Sequence, residues 1–509
     1  MAVIGVDIGT SGCKASAVGA DGEILAGAYR EYTPKATSDG GQELDSRQVM
    51  KDAMEVLRET AVRCGGEKIE AISVSSLGES VVPLSRTGEI LADAIIYSDS
   101  RGEDVEKELA GRVDRERFFE KTGYDPSRVS SVCRIMWLKK HKPEIYRQAS
   151  FFLPMNSLLL FLLGAKPHID YTLASTTEMF DIWEKKWDRE ILKAARLPEI
   201  LLPPAVEPGT VVGTIQDGTA GRLGLPRGVL LVAGGHDQQC VSLGAGVIRD
   251  GDVLDGMGSV EAVGAVAGRP PDLRLLAKYN LSVEPHVIPG KYSIYGCTMT
   301  AGRAVKWFRD CFCQDLVLAA VQERKDVYDL MFDMVPREQN NVIWIPYFSG
   351  AGTPFNDPEA KSILLGADLK TGRGELFAAL LEGIAFELQL NLECLEAAGV
   401  TLGEIHAVGG LAKNERYLRM KADLMGRDIV TLSSNEAGTL GAAILAMKAA
   451  GGCRTMEEAA DVMVKVKKRI RSEPDHFSYY QDKYDRYKEN HPWYVRSGIG
   501  QLHVSHKKI

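Results

Sequence analysis

Val3-Ile4-Gly5-Val6-Asp7-Ile8-Gly9-Thr10-Ser11-Gly12-Cys13-Lys14-Ala15-Ser16-Ala17-Val18 opens the chain. Apolar strand formers flank a turn of glycine, threonine and serine, and Asp21-Gly22 supplies a second tight turn before Glu23-Ile24-Leu25-Ala26. Two such turns between strand-forming runs predict three consecutive antiparallel strands. They do not predict a Walker A loop, which must open straight into a helix, whereas Lys14 begins a strand. The loop is nonetheless a candidate site. Its glycines let a ligand approach the backbone, its hydroxyls and amides suit phosphate, Lys14 brings positive charge, and Asp7 could hold Mg²⁺ through water. An ordinary Gly/Ser turn accounts for these residues equally well.

Outward from this hairpin, helical patterns cover Ser46 to Cys64 and Asp104 to Leu109 around a short strand, Ile69 to Ser75. A strand at Val229 to Ala233 runs into Gly234-Gly235-His236-Asp237-Gln238-Gln239. Ligands collect at the carboxyl ends of strands in α/β folds, and a carboxylate there can accept a hydroxyl proton during phosphoryl transfer. The structural alternative is a cap, with Asp237 opening the next helix. After Gly244-Ala245-Gly246 and Arg249-Asp250-Gly251, a second hairpin-like unit spans Asp252 to Val263 around Gly256-Met257-Gly258-Ser259. It echoes the opening, so a duplicated fold closing on one ligand is expected. Val408-Gly409-Gly410-Leu411-Ala412-Lys413-Asn414 is a strand-to-helix turn where a planar base could lie on backbone. Helical periodicity follows in Gly374 to Ala398, Asn414 to Met425 and Ala437 to Ala450, and the aromatic, charged C-terminal segment is expected to pack back as helices.

The bulk numbers narrow the class. The 509 residues suggest about three domains or two large ones. Glycine is in excess, 51 residues, without repetition, which points to many tight loops. Lys+Arg 61 against Asp+Glu 69 gives −8, against a protein held to nucleic acid by phosphate contacts. Nine cysteines without a CxxC pair suit ordinary thiols in a reducing compartment. Phe151 to Ala165 is apolar but short of the ~18–20 residues of a membrane span, and reads as a buried helix. With no basic leader and Asp7 interrupting the first apolar run, a soluble cytoplasmic protein is expected.

Taken in order, these motifs resemble the FGGY carbohydrate kinases of the actin/hexokinase/Hsp70-like ATPase superfamily, from about residue 3 to about residue 450. The carrying residues are Asp7 to Lys14, Tyr97-Ser98-Asp99-Ser100-Arg101, Gly235 to Gln239, Gly256 to Ser259, Ile345 to Gly350, Leu364-Leu365-Gly366, Leu381 to Glu387, Gly409 to Asn414 and Gly438 to Ala443. The resemblance implies an α/β protein of two RNase H-like domains, each a mixed sheet flanked by helices, around a central cleft. Its boundaries are expected at 1–248, 249–450 and 451–509, the last a helical extension. It implies ATP and Mg²⁺, a small sugar as acceptor, no nucleic-acid or membrane partner, and the homodimer common in the family. Position by position, Asp237 becomes the base, with Glu79 and Gln238 beside the substrate. Asp7 lies near the metal. Thr10, Ser11 and Lys14 form the first phosphate loop; Gly258 and Ser259 form the second, with serine where threonine is usual. Gly302 would lie along the nucleotide, and Gly410 with Asn414 against adenosine.

The acceptor is less defined. Asp237-Gln238-Gln239 and Glu79-Ser80 look like glycerol kinases, yet their arginine is replaced by Gly78 and their substrate tyrosine by Val129. The Met-His pair of D-xylulose kinases is Leu77-Gly78 here. Small residues at 78 and 129 suggest room for a ketose, a pentulose or deoxyhexulose. Glycerol or another polyol is the alternative acceptor, and a non-catalytic actin-like binding protein the alternative class.

Overall fold

Strands β1 (Ala2–Ile8), β2 (Gly12–Gly19) and β3 (Ile24–Glu31) form the expected antiparallel run in the computed structural model. The structure describes residues 1–38, 40–270, 272–336 and 340–497. The polypeptide divides into two units that are not continuous in sequence. The first holds residues 1–248, 283–293 and 436–465; the second holds 249–282, 294–435 and 466 onward. Residues 498–509 of the expected extension lie outside the described residues.

The sheet of the first unit adds β4 (Ile69–Ser76), β5 (Val211–Thr214) and β6 (Leu230–His236), in the order β5-β6-β4-β1-β2-β3. β1, β4 and β6 run parallel, so their carboxyl ends emerge side by side. Central parallel strands are covered on both faces, which is why Ala2, Val3, Ile4, Val6 and Ile8 are all buried. The helix Ser46–Arg63, capped by Asp45 on the Gln48 amide at 2.9 Å, covers one face with Val49, Val56 and Leu57. The other face takes the helix Ala437–Ala449, contributed from two hundred residues or more beyond the strands it covers.

The second unit repeats this plan. Strands β7 (Val253–Met257), β8 (Glu261–Ala267), β9 (Tyr292–Thr298), β10 (Ile405–Gly409), β11 (Ile429–Leu432) and β12 (Val466–Ile470) lie in the order β12-β11-β10-β7-β8-β9. That is the order of the first sheet, with β7, β10 and β11 parallel in the places of β1, β4 and β6. Two sequence expectations change here. The apolar run from Phe151 is split by Pro154 into a short strand, Phe151–Leu153, and a buried helix, Met155–Leu163. The extension is not wholly helical, because Val466–Ile470 pairs with β11 as an edge strand before the helix Pro474–Glu489. Among the described residues no helix is long and apolar enough to cross a membrane.

Two helices of the first unit cross through glycine. A Cβ on Gly441 would lie 1.9 Å from the Cys240 carbonyl oxygen, and one on Gly244 would lie 1.9 Å from that of Ala437. Backbone meets backbone at both points, so nothing flexible can yield. Gly441→Ala should therefore cost about 1–3 kcal/mol or more, read as a lower melting temperature. Gly218→Ala, in a helix where a Cβ meets nothing within 4 Å, should leave the melting temperature unchanged or slightly raised.

Candidate functional site

In the first unit the expected residues gather at the carboxyl ends of β1, β4 and β6. Asp7 is on β1 opposite Ser75 of β4, whose hydroxyl donates to Asp7 Oδ1 at 2.5 Å. Burial, with the nearby Asp237 carboxylate adding to it, pushes Asp7 up to about 6; Ser75 and Lys14 pull the other way. Gly438, at the start of the helix 437–449, lets that helix approach, since a Cβ there would lie 3.2 Å from Asp7 Oδ2. Thr10 and the exposed Ser11 form the loop tip, tied down by Gly9 N–H to the Gly12 carbonyl at 2.9 Å and Tyr32 O–H to the Gly9 carbonyl at 2.7 Å. Lys14 points its ammonium at Glu436, 2.7 Å away, a partner a phosphate group would have to share.

β6 ends at His236 and the helix Asp237–Gly244 begins at once, so Asp237 is the first helical residue, with His236 in the cap position. Gly234 permits the sheet to close, because a Cβ there would lie 1.8 Å from the Val74 carbonyl oxygen. Burial pushes the Asp237 carboxyl up, while the His236 imidazole and the Gln238 amide and side chain draw it down. Glu79 follows β4 in a left-handed conformation, φ 59°, a strained state for a side chain of this kind. Burial pushes it up to about 7, against the pull of His236. Thus Asp7, Asp237 and Glu79, with Gln238 beside Asp237, form one acidic cluster whose carboxyls hold their protons more tightly than in water.

Gly78 does not leave open space for the acceptor. A Cβ at this position would lie 2.9 Å from His236 Nε2 and 3.3 Å from Thr176 Cγ2. The volume that the missing side chain vacates is taken by the imidazole, and the size argument for a ketose loses that support.

In the second unit, the carboxyl ends of β7 and β10 bring the other expected residues together. Met257 pairs with Gly409, and the Gly410 amide donates to the Met257 carbonyl at 3.1 Å. Gly409, at φ 100° and with a Cβ position 2.3 Å from that same oxygen, can only be glycine. Gly410 has an open flank, with nothing within 4 Å of a Cβ. Gly302 opens the helix Gly302–Phe312 and donates to the Gly258 carbonyl at 3.0 Å; a Cβ would approach that oxygen to 2.6 Å, so its smallness serves this seat on the loop. The Ser259 carbonyl accepts from Ala301 at 3.1 Å and Arg303 at 3.2 Å. Asn414 caps the helix Glu415–Met425, its side chain accepting from the Tyr417 amide at 3.1 Å. Beneath the Gly258-Ser259 loop, the wholly buried Lys421 of that helix bonds Asp255 of β7 at 2.5 Å and Glu261 of β8.

Ser75 lies in the polar run Ser75-Ser76-Leu77-Gly78-Glu79-Ser80 at the end of a strand, but other residues in these clusters carry no motif: Glu436, Lys421, and Glu284, which bonds His236 and accepts from the Tyr124 hydroxyl. Glu284 had one visible signal, an acid inside the apolar run Leu281-Ser282-Val283-Glu284-Pro285. Among the described residues no group of three or more His, Cys, Asp or Glu side chains forms a ready-made metal site.

Residues 2–244 match the N-terminal domain of the FGGY family of carbohydrate kinases, and residues 275–450 match its C-terminal domain. A xylulose kinase of Bacillus subtilis (strain 168) is 25% identical over 488 residues, covering 96% of each chain. An autoinducer-2 kinase of Klebsiella pneumoniae is 29% identical over 498 residues, covering 94% of this chain and 92% of that one. Among solved structures, a xylulose kinase from Rhodospirillum rubrum superposes with a TM-score of 0.86 at 25% identity, covering 99% of this chain and 100% of that one.

Proposed function

The chain belongs to the FGGY family of carbohydrate kinases, and from that premise we propose that it transfers the γ-phosphate of ATP to a hydroxyl of a small ketose, a pentulose or deoxyhexulose. The observation that carries the reading is Asp237, a side chain 28% exposed at the start of its helix and buried enough to be basic. The xylulose kinases and autoinducer-2 kinases among its relatives support the acceptor class.

In this reading Asp237 accepts the proton of the attacking hydroxyl while Glu79 and Gln238 orient the sugar. Thr10, Ser11 and Lys14 receive the transferred phosphate, Gly258 and Ser259 the phosphates that remain with ADP. Gly410 offers its open backbone flank to adenosine, with Asn414 fixing the helix beside it. Gly302 acts through Gly258, on which it is seated. Phosphoryl transfer asks mainly for such positioning and for neutralised charge. Asp7 would hold Mg²⁺: the mutual repulsion of Asp7 and Asp237 is relieved by a cation there. When bound, the ion would neutralise charge on the phosphates.

The test is ADP release across pentuloses, deoxyhexuloses, tetritols, sugar acids and glycerol. A ketose should exceed glycerol in kcat/KM by about 10²-fold or more. Glycerol best with every ketose inert would overturn the acceptor assignment.

A further inference from the structure

His236 is held between two carboxylates. Its Nδ1 lies 3.1 Å from Glu284 Oε2, and its Nε2 lies 3.2 Å from Asp237 Oδ1. Glu284 is itself fixed, accepting from Gln239 Nε2 at 2.9 Å and from the Tyr124 hydroxyl, and its side chain is 3% exposed. The backbone amide of His236 donates to Thr172 Oγ1 at 2.7 Å, and Gly78 leaves the ring its space. The Nδ1 contact is a hydrogen bond and the Nε2 contact a close charge pair, so an imidazolium is held by both carboxylates where a neutral ring would be held by Glu284 alone.

We propose that His236, clamped by Glu284, is a positioning residue for phosphoryl transfer: a standing imidazolium that aims the Asp237 carboxylate and keeps it ionised among other acids. The inference rests on the proposed role of Asp237 as base. The groups that face the ring are Glu284, Asp237 and Glu79; Tyr124 reaches it through Glu284, and Asp7 faces Asp237. Burial alone would strip the imidazole of its proton, but Glu284 and Asp237 hold it up to about 10. The same charge opposes the rise that burial imposes on Asp237. In the transfer step the acceptor O–H proton passes to an Asp237 oxygen, the hydroxyl oxygen bonds the γ-phosphorus, and the bond from that phosphorus to the β–γ bridging oxygen breaks as ADP leaves. His236 keeps both protons throughout.

Two variants move opposite limbs of the pH profile. His236→Gln removes the cation, so the acid limb of kcat/KM should shift up by about one unit or more. Glu284→Gln leaves the ring with a lower affinity for its proton, so a new alkaline limb should appear below the wild-type limit. The double variant should lack that alkaline limb, having no imidazole to titrate. ATP binding should hold in all three. In wild-type protein carrying isotope-labelled histidine, one imidazole should stay protonated to about pH 9 and be missing from His236→Gln; this reading needs no stable Glu284 variant. Rates that fall with both limbs unmoved, or an imidazole 236 that titrates near its ordinary value, would overturn the proposal. If Asp237→Asn stays active, the reading of the base fails instead.

Discussion

Asp237→Asn is expected to lower kcat for sugar phosphorylation by about 10²–10⁴-fold while ATP still binds. The replacement keeps the shape of the side chain and its place as the first residue of the helix Asp237–Gly244, so the fold has no reason to change. It removes the one property the step needs, an oxygen able to take a proton. Glu79 cannot stand in, because its backbone is held in a left-handed turn by Thr176 at 3.2 Å and Ser131 at 2.7 Å, which fixes it beside the sugar. The substitution has a second, diagnostic effect. Burial is the main reason that Asp7 is raised to about 6, and the Asp237 carboxylate is the next. Neutralising residue 237 should let Asp7 ionise at lower pH, so Mg²⁺-dependent nucleotide binding should persist further into acid. Steady-state kinetics with direct measurement of ATP binding separates the two effects. Transfer within a few-fold of wild type would sink the assignment of the base.

Lys421→Met is expected to cost about 3–5 kcal/mol of folding stability, the largest effect among the substitutions considered. Lys421 and Asp255 are fully buried, and Glu261 is 1% exposed. Asp255 Oδ1 and Glu261 Oε2 already lack a hydrogen-bond partner, so neither carboxyl has a substitute for the ammonium. Burial pushes Glu261 up, with Lys421 pulling back and Asp255 adding to the rise. Without Lys421 the pair must keep an unpaired charge in an apolar setting or take up protons. Lys421→Met combined with Asp255→Leu and Glu261→Met should recover much of the loss, since replacing a whole buried cluster by apolar groups is often close to neutral. Denaturant unfolding of both variants checks this, and a single variant that loses under about 1 kcal/mol would contradict it. Asp255 and Glu261 sit on the strands that flank Gly258-Ser259, so any folded fraction of Lys421→Met should also bind ATP less tightly.

The hairpin-first order of each sheet was legible because Gly-Thr-Ser-Gly and Asp-Gly are local turn chemistry between strand-forming runs. Parallel order was legible only through the family resemblance. The edge strand Val466–Ile470 was hidden by Lys467, Lys468 and Arg469, exposed charges that protect an edge but look like a solvated helix face. The helix 437–449 could not be assigned to the first unit from sequence, since no local pattern says which sheet a helix covers. At the site, Asp237 and the glycine turns announced themselves, but Glu284 and Lys421 act through contacts between distant segments. The small size of Gly78 and Gly302 was visible and its reason was not: one makes room for an imidazole, the other for a carbonyl.

The glycine crossing of the helices 237–244 and 437–449 also sets a timetable. The first 248 residues leave the ribosome with one face of their sheet bare, because the helix that seats against Gly5, Gly244 and Cys240 is made almost two hundred residues later. Until then Val3, Val18, Ala71 and Val232 await their cover. The nascent N-terminal half must survive as an incomplete body, the state in which chaperones engage a chain and in which truncated products aggregate. The helix that carries Asp237 acquires its final seat only once residues 437–449 have been made.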